Sequence, residues 1–206
     1  MLLLIVLASY GMNSQASDQI LRPCETSLHE YVDAVESKAL QKVPGILAAS
    51  VTVMPSFEPE WKVATSQSKA IALLTYIVFD RSVWHSSWVK TGPRTKVNDP
   101  SSSQAKAIPF TVPISDQLYS LINSEWARSI SAASPSDDMG LDGETYNFYA
   151  LSHCASTWSP DRVSRDGRLV EIVYALRALA KRDKTAQSKA EAQIITMLKQ
   201  MPETSP

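Results

Sequence analysis

Residues 137–149 read Asp137-Asp138-Met139-Gly140-Leu141-Asp142-Gly143-Glu144-Thr145-Tyr146-Asn147-Phe148-Tyr149, and the rest of the chain is organised around them. The pair Asp142-Gly143 is typical of a tight turn, because both residues tolerate the backbone angles that such turns require. The aromatic residues that follow favour a strand. We therefore predict a turn that leads into an aromatic strand. This strand pairs, through a second turn at Ser152-His153, with a segment that ends at Trp158.

The side chains of this strand alternate between two faces. Tyr146 and Phe148 fall on one face, and Thr145, Asn147 and Tyr149 fall on the other. If the first face points into the core, Tyr149 is a candidate for exposure to solvent.

The acidic residues of the same stretch raise the question of a calcium loop. Asp138, Asp142 and Gly143 take positions one, five and six of an EF-hand-like loop, but Gly140 and Tyr149 take positions three and twelve. Two ligands are therefore missing, including the bidentate carboxylate. The histidines are scattered, and there is no C-x-x-C pair for zinc. We predict a turn here, with no metal and no cofactor.

The chain before this stretch predicts one helix and several strands. Apolar residues recur at intervals of three and four between Glu25 and Lys42, which is typical of an amphipathic helix. Aromatic and β-branched runs interrupted by proline indicate strands. The predicted strands are Val51–Met54, Lys62–Ala64, Ala70–Phe79 (alternatively a short buried helix), Val83–Val89 and Lys106–Val112, the last at an edge of the sheet because it contains Pro109.

Three further helices are predicted from apolar periodicity. Ser115 can cap the first of them, and the other two follow Pro160. Strands and helices do not alternate regularly along the chain. We therefore predict a single α+β domain with a mostly antiparallel sheet, on which an N-terminal helix, a middle helix and two C-terminal helices pack.

The first sixteen residues differ from the rest. They contain the apolar run Leu2–Ala8 and no charged residue, and Ser14-Gln15-Ala16 resembles a cleavage site. The run is shorter than the roughly 20 residues that span a bilayer. We predict a secretory signal peptide over 1–16 and a mature domain over 17–206, with a buried N-terminal strand or helix as the alternative. No Lys or Arg precedes the run, so either the signal is weak or its start lies upstream.

The chain contains two cysteines, Cys24 and Cys154. In an exported protein an even number of cysteines indicates a disulfide, and here a single pairing is possible. The alternative is two separate buried thiols. A bridge would tie the start of the mature chain to the predicted aromatic hairpin.

No established catalytic signature is present. The chain lacks G-x-S-x-G, supported S-x-x-K boxes and glycine-rich phosphate loops. A cysteine nucleophile needs a histidine beside it in space, and no local pattern supports such a pair for Cys24. A small secreted hydrolase that uses Cys24, or a carboxylate such as Asp142 or Glu144, therefore stands as the alternative to a non-catalytic role.

Aromatic and acidic residues supply the candidate binding residues Asp142, Glu144, Tyr149 and Trp158. A formal net charge of -1 provides no field that would attract nucleic acid. We interpret the basic group Arg177, Lys181, Arg182 and Lys184 as a solvated helix end, where cations complement the helix dipole.

Three short patches resemble a pattern in small uncharacterised bacterial proteins that are often exported. They are Pro55-Ser56-Phe57-x-Pro59-Glu60, Gly140-Leu141-Asp142-Gly143-x-x-Tyr146-x-Phe148 and Trp158-Ser159-Pro160. The resemblance implies an α+β domain in a bacterial envelope and assigns no catalytic residue. With the signal-like start, it favours a non-catalytic exported module that binds another protein or an envelope component, as an inhibitor, immunity-type or accessory factor. A purely structural envelope protein is a third possibility.

Overall fold

An antiparallel sheet forms the centre of the molecule. The computed structural model describes residues 21–24, 29–135, 142–182 and 184–203. Seven strands from these residues form the sheet, in the order β1-β9-β8-β2-β3-β4-β7. They are β1 (Arg22–Pro23), β2 (Ile46–Pro55), β3 (Trp61–Ser68), β4 (Ile71–Phe79), β7 (Ala107–Pro113), β8 (Glu144–Ala150) and β9 (His153–Trp158). A separate hairpin consists of β5 (Trp88–Lys90) and β6 (Lys96–Asn98).

The helices cover the two faces of this sheet unequally. They are α1 (His29–Leu40), α2 (Val83–Ser86), α3 (Asp116–Ser131), α4 (Arg165–Ala180) and α5 (Lys184–Lys199), with a 3₁₀ turn at Pro100–Ser102. The three long C-terminal helices pack on one face, which we call the three-helix face. On the opposite face, the α1 face, the helix α1 packs with residues around α2. This arrangement confirms the predicted α+β class and the positions of the helices.

The aromatic hairpin is present, and its turn differs by one residue from the prediction. β8 and β9 are antiparallel, with Tyr146 opposite Thr157 and Phe148 opposite Ala155. Leu151 and Ser152 form the turn, both with positive φ (50° and 66°). Two consecutive residues in this region give the twist that joins neighbouring antiparallel strands. His153 therefore belongs to β9 and not to the turn.

Two predicted segments needed correction. The strand predicted over Val83–Val89 is a short helix followed by β5, because Ser82 caps the helix and the buried carboxylate of Glu60 accepts hydrogen bonds from the first backbone N–H groups. The strand predicted over Val51–Met54 extends over ten residues, and β3 is also longer than predicted. The edge position of Pro109 is confirmed, since β7 is the last strand of the sheet.

Cys24 and Cys154 form a disulfide, with their Cα atoms 5.5 Å apart. Beside it, β1 pairs with β9, so the bridge fixes the first described strand to the aromatic hairpin as predicted. The predicted signal peptide over 1–16 lies outside the described residues, as do residues 25–28 of the predicted first helix. Among the helices that are described, none is long and apolar enough to cross a bilayer.

Candidate functional site

Five aromatic side chains form a continuous row on the three-helix face. In spatial order the members of this aromatic row are Tyr146, Tyr174, Trp61, Tyr76 and Phe110, with successive ring centroids 6.5, 5.4, 5.9 and 5.8 Å apart. Tyr146, Trp61 and Tyr76 are buried, whereas 37% of Tyr174 and 39% of Phe110 is exposed. The row therefore combines a fixed interior with two rings that a partner can contact.

Strand register and helix spacing build this row. Tyr76 on β4 lies opposite Phe110 on β7, and the two rings stack at an interplanar angle of 27°. Trp61 is the first residue of β3, diagonal to Tyr76. Such cross-strand and diagonal aromatic neighbours stabilise a sheet. α4 lays Tyr174 over Trp61 and thereby joins the ring on β8 to the rings on β3 and β4.

Two cations lie over the aromatic row. The guanidinium carbon of Arg177 is 4.7 Å from the ring centroid of Trp61 and 5.4 Å from that of Tyr76. The ammonium of Lys181 is 4.6 Å from the ring centroid of Tyr76. Neither forms an ion pair with a carboxylate among the described residues. Burial, together with the nearby charge of Arg177, lowers the pKa of Lys181.

The interpretation of this basic group as a solvated helix end therefore needs correction. Lys181 and Arg182 are exposed, as that interpretation requires, but Arg177 is half-buried against the rings. Tyr174, Arg177 and Lys181 are separated by three and four residues, so they share one side of the helix. This spacing is the sequence signal that could have identified the cluster.

The acidic end of the aromatic row is Glu144. Its Oε2 atom accepts a hydrogen bond from the hydroxyl of Tyr174 at 2.6 Å and another from the hydroxyl of Tyr146. Burial raises the pKa of Tyr146, and the hydrogen bond to Glu144 acts in the same direction. Both phenols therefore stay protonated and act as donors. The backbone N–H of Glu144 donates to the Ser159 hydroxyl, which fixes the start of β8.

A cleft of about 530 Å³ opens beside this carboxylate. Glu144, Arg162 and Glu171 contribute charged side chains to it, and the rest of the wall comes from aromatic, aliphatic and small residues. The lining is completed by Tyr146, Tyr174, Ser159, Pro160, Gly167 and Val170. The described wall contains no histidine and no cysteine.

Only some of the predicted site residues reach this cleft. Glu144 lines it, and Asp142 is exposed in the turn just before β8. Trp158 pairs with Thr145 and packs beside Gly143, where φ is +152° and an added Cβ would lie 3.0 Å from the indole ring. Tyr149 is on the α1 face and is half-buried. The four predicted residues therefore do not form one site, because the sheet separates Tyr149 from Glu144.

Tyr149 belongs to a buried polar cluster instead. The ammonium of Lys62 is 5.0 Å from its ring centroid, 2.8 Å from Oε2 of Glu36 and 2.9 Å from the Thr52 hydroxyl. Thr52 also donates a hydrogen bond to Glu36. Burial lowers the pKa of Lys62, and Glu36 opposes this shift. Since the Lys62 side chain is fully buried and contacts Glu36 of α1, the cluster holds α1 to the sheet.

The hypotheses of a cysteine hydrolase and of a metal site can both be compared with this geometry. Cys24 is bonded to Cys154, so it is not the free thiol that a cysteine hydrolase requires. Across the described part of the chain, no three His, Cys, Asp or Glu side chains are grouped to hold a metal ion. Asp138 and Gly140 of the rejected calcium loop lie outside that part. Comparison of the chain with protein-family models, with curated proteins and with solved structures finds no match.

Proposed function

We propose that this chain is a non-catalytic exported module that binds a partner protein through the aromatic row and its two cations. One observation carries the proposal: Tyr174 and Phe110 present exposed rings on either side of Arg177 and Lys181, which lack carboxylate partners among the described residues. Tyr, Trp, Phe and Arg are the residues most enriched in protein interfaces and in their energetic hot spots.

The rings are also held in fixed positions in the free protein. Trp61 and Tyr76 are buried in the sheet, and Arg177 is stacked on both of them. A surface whose side chains are already ordered loses less conformational entropy on binding. Ile108, which is 43% exposed on β7, extends the apolar area beyond Phe110.

The partner is expected on the face of the sheet and not along its edge. β7 is an edge strand, and a free edge can accept an added strand. Pro109 and Pro113 lack backbone N–H groups, which removes donors that an added strand would need. The exposed rings, by contrast, need no free backbone groups to bind.

Export is part of the proposal and rests on two features. The apolar start of the chain is typical of a secretory signal, and the Cys24–Cys154 disulfide is typical of an oxidising compartment. The resemblance to small exported bacterial proteins supports the same setting. Mass spectrometry of the mature N-terminus tests this part; an intact Met1 on protein recovered from the producing cells contradicts it.

The test of binding is affinity capture from an envelope extract with two matched variants. Ile108→Ala removes apolar area beside Phe110, and Ile46→Ala removes the same atoms at the opposite end of the sheet, where Ile46 is 79% exposed. We expect a stoichiometric partner with the wild type and with Ile46→Ala. Ile108→Ala should weaken its binding by about tenfold, which corresponds to about 1.4 kcal/mol. Equal capture by both variants, or no partner under several conditions, contradicts the proposal.

A further inference from the structure

We propose that the cleft beside Glu144 receives the guanidinium group of an arginine side chain from the partner protein. This inference rests on the proposed function and names the chemistry of one contact within it.

The Glu144 carboxylate is held in one orientation. Both phenols donate to Oε2 and so fix the position of the group. No described residue donates a hydrogen bond to Oε1, and no described cation forms an ion pair with Glu144. One oxygen of a fixed carboxylate is therefore left without a donor among the described residues, and a group from a partner can donate to it.

The walls of the cleft suit the other parts of an arginine side chain. A guanidinium is planar and stacks on aromatic rings, and the Tyr174 ring is 37% exposed at the cleft. Pro160 and Val170 provide aliphatic contact for the methylene stem. The volume of about 530 Å³ accommodates one such side chain together with water.

The remaining charges of the cleft leave its sign negative. Arg162 and Glu171 are both exposed at the rim and carry opposite charges. The formal charge of the lining is therefore that of Glu144. A basic side chain enters this site with an electrostatic gain, whereas an acidic one is repelled.

Positive charge at the far end of the aromatic row gives the surface a polarity. Lys181, the C-cap of α4, follows Tyr174 by seven residues, a rise of about 10 Å along the helix axis. Lys181 disfavours a basic side chain at that end, whereas Arg177 lies between the two ends, with its guanidinium carbon 5.9 Å from the Tyr174 ring centroid. The arginine of the partner is thus directed to the Glu144 end, which fixes the orientation in which the partner lies on the row.

The experiment is an NMR titration of the intact, disulfide-bonded protein with Nα-acetyl-arginine amide. Nα-acetyl-norleucine amide supplies the stem without the charge, and the lysine and glutamate analogues supply other charges. We expect saturable shifts at Glu144, Tyr174 and Val170 with the arginine probe. Binding should weaken by about tenfold in Glu144→Gln and by less in Glu171→Gln, because a charge-assisted hydrogen bond is lost only in the first variant.

Each outcome decides the inference. Equal shifts with norleucine, equally tight binding of lysine or glutamate, or unchanged binding in Glu144→Gln overturns it. A thermal melt of Glu144→Gln identifies loss of folding, and Tyr174→Phe then tests the same contact through its donor, with a severalfold loss expected and an unchanged affinity contradicting it. If Ile108→Ala weakens partner capture while arginine does not bind, this inference fails and the proposed function stands. If arginine binds and capture shows no dependence on Ile108, the proposed function fails, and with it the assignment of the arginine to a partner on the aromatic row, while the cleft still binds arginine.

Discussion

The two faces of the sheet are built from different chemistry. The three-helix face is mostly apolar, with Val51, Val63, Leu74 and Phe148 packed against buried residues of α3 and α4. The α1 face buries polar groups from the same strands, which are Ser50, Thr52, Lys62, Ser66, Thr75 and Asn147. Strand alternation produces this contrast, since neighbouring residues of one strand point to opposite faces.

The two faces obtain their stability in different ways. Dispersion and the hydrophobic effect are spread over many contacts on the three-helix face, so each large side chain contributes in proportion to its buried area. On the α1 face, a few directional contacts around Lys62 and Glu36 must satisfy the buried charges. The first face is therefore sensitive to lost volume, and the second to lost partners.

The largest effect on the free energy of unfolding is expected when a large side chain is removed from the core of the three-helix face. Trp126 is 1% exposed and its ring centroid lies 5.5 Å from that of Phe148. Trp126→Ala should lower the free energy of unfolding by about 3–5 kcal/mol in urea denaturation, because it leaves a cavity. Trp88→Ala is the matched control on the β5–β6 hairpin, where the indole is 45% exposed; it should cost about 1 kcal/mol. Equal losses in the two variants contradict the apolar packing described for α3.

The second effect tests the buried ion pair of the α1 face. Lys62→Met should lower the free energy of unfolding by about 3 kcal/mol, since the Glu36 carboxylate loses its cation while Glu36 remains mostly buried. Replacing both partners, in Lys62→Met/Glu36→Gln, should bring stability back to within about 1 kcal/mol of the wild type. The measurement is a double-mutant cycle by urea denaturation. Additive losses in the double variant would show that the two side chains are not coupled.

The third effect concerns a carboxyl group buried on the three-helix face. Burial raises the pKa of Asp166 to about 7, and the nearby Thr157 side chain and the charge of Arg165 oppose the shift. The folded-state pKa exceeds the ordinary value of 3.8, so the native protein binds this proton more tightly than the unfolded chain does. The resulting stability is present at low pH and is lost as the pH rises towards 7.

Asp166→Asn removes this pH dependence. Between pH 5 and pH 7, the wild type should lose about 2 kcal/mol of unfolding free energy relative to the variant. Urea denaturation at several pH values measures the difference between the two slopes. Parallel curves would mean that the carboxyl group of Asp166 does not titrate in this window.

Local patterns in the sequence were enough for the class of the fold. Ser115 caps α3 as predicted, by accepting a hydrogen bond from the backbone N–H of Leu118, and the alternation along β8 places Tyr146 and Phe148 in the core. The strand predicted at Val83 was wrong because the backbone N–H of this segment donates to the carboxylate of Glu60, which is more than twenty residues away in the sequence. Secondary-structure propensity depends on neighbouring residues and does not include a hydrogen-bond partner that far away in the sequence.

The candidate site was predictable only in part for a related reason. Glu144 was identified from its local setting, but its hydrogen bond from Tyr174 joins residues thirty positions apart. Tyr149 was included because alternation places it on the face away from Tyr146 and Phe148, where exposure was expected. That face is covered by α1, so Tyr149 is half-buried and lies over Lys62. The aromatic row depends on the order of strands in the sheet and on the path of α4. Neither is encoded in any single stretch of the chain.

The smallest effect compares the two faces by removing one buried hydroxyl from the α1 face and adding one to the three-helix face. Thr75 on the α1 face is buried and hydrogen-bonded to the Thr111 hydroxyl at 3.1 Å; Thr111 is exposed, so water can replace that bond. Thr75→Val should therefore change the free energy of unfolding by less than about 0.5 kcal/mol. Val63→Thr, on the neighbouring strand but on the three-helix face, buries a hydroxyl among apolar side chains and should cost about 1–2 kcal/mol. Urea denaturation of the two variants measures this asymmetry, and equal costs would show that the two faces tolerate polar groups alike.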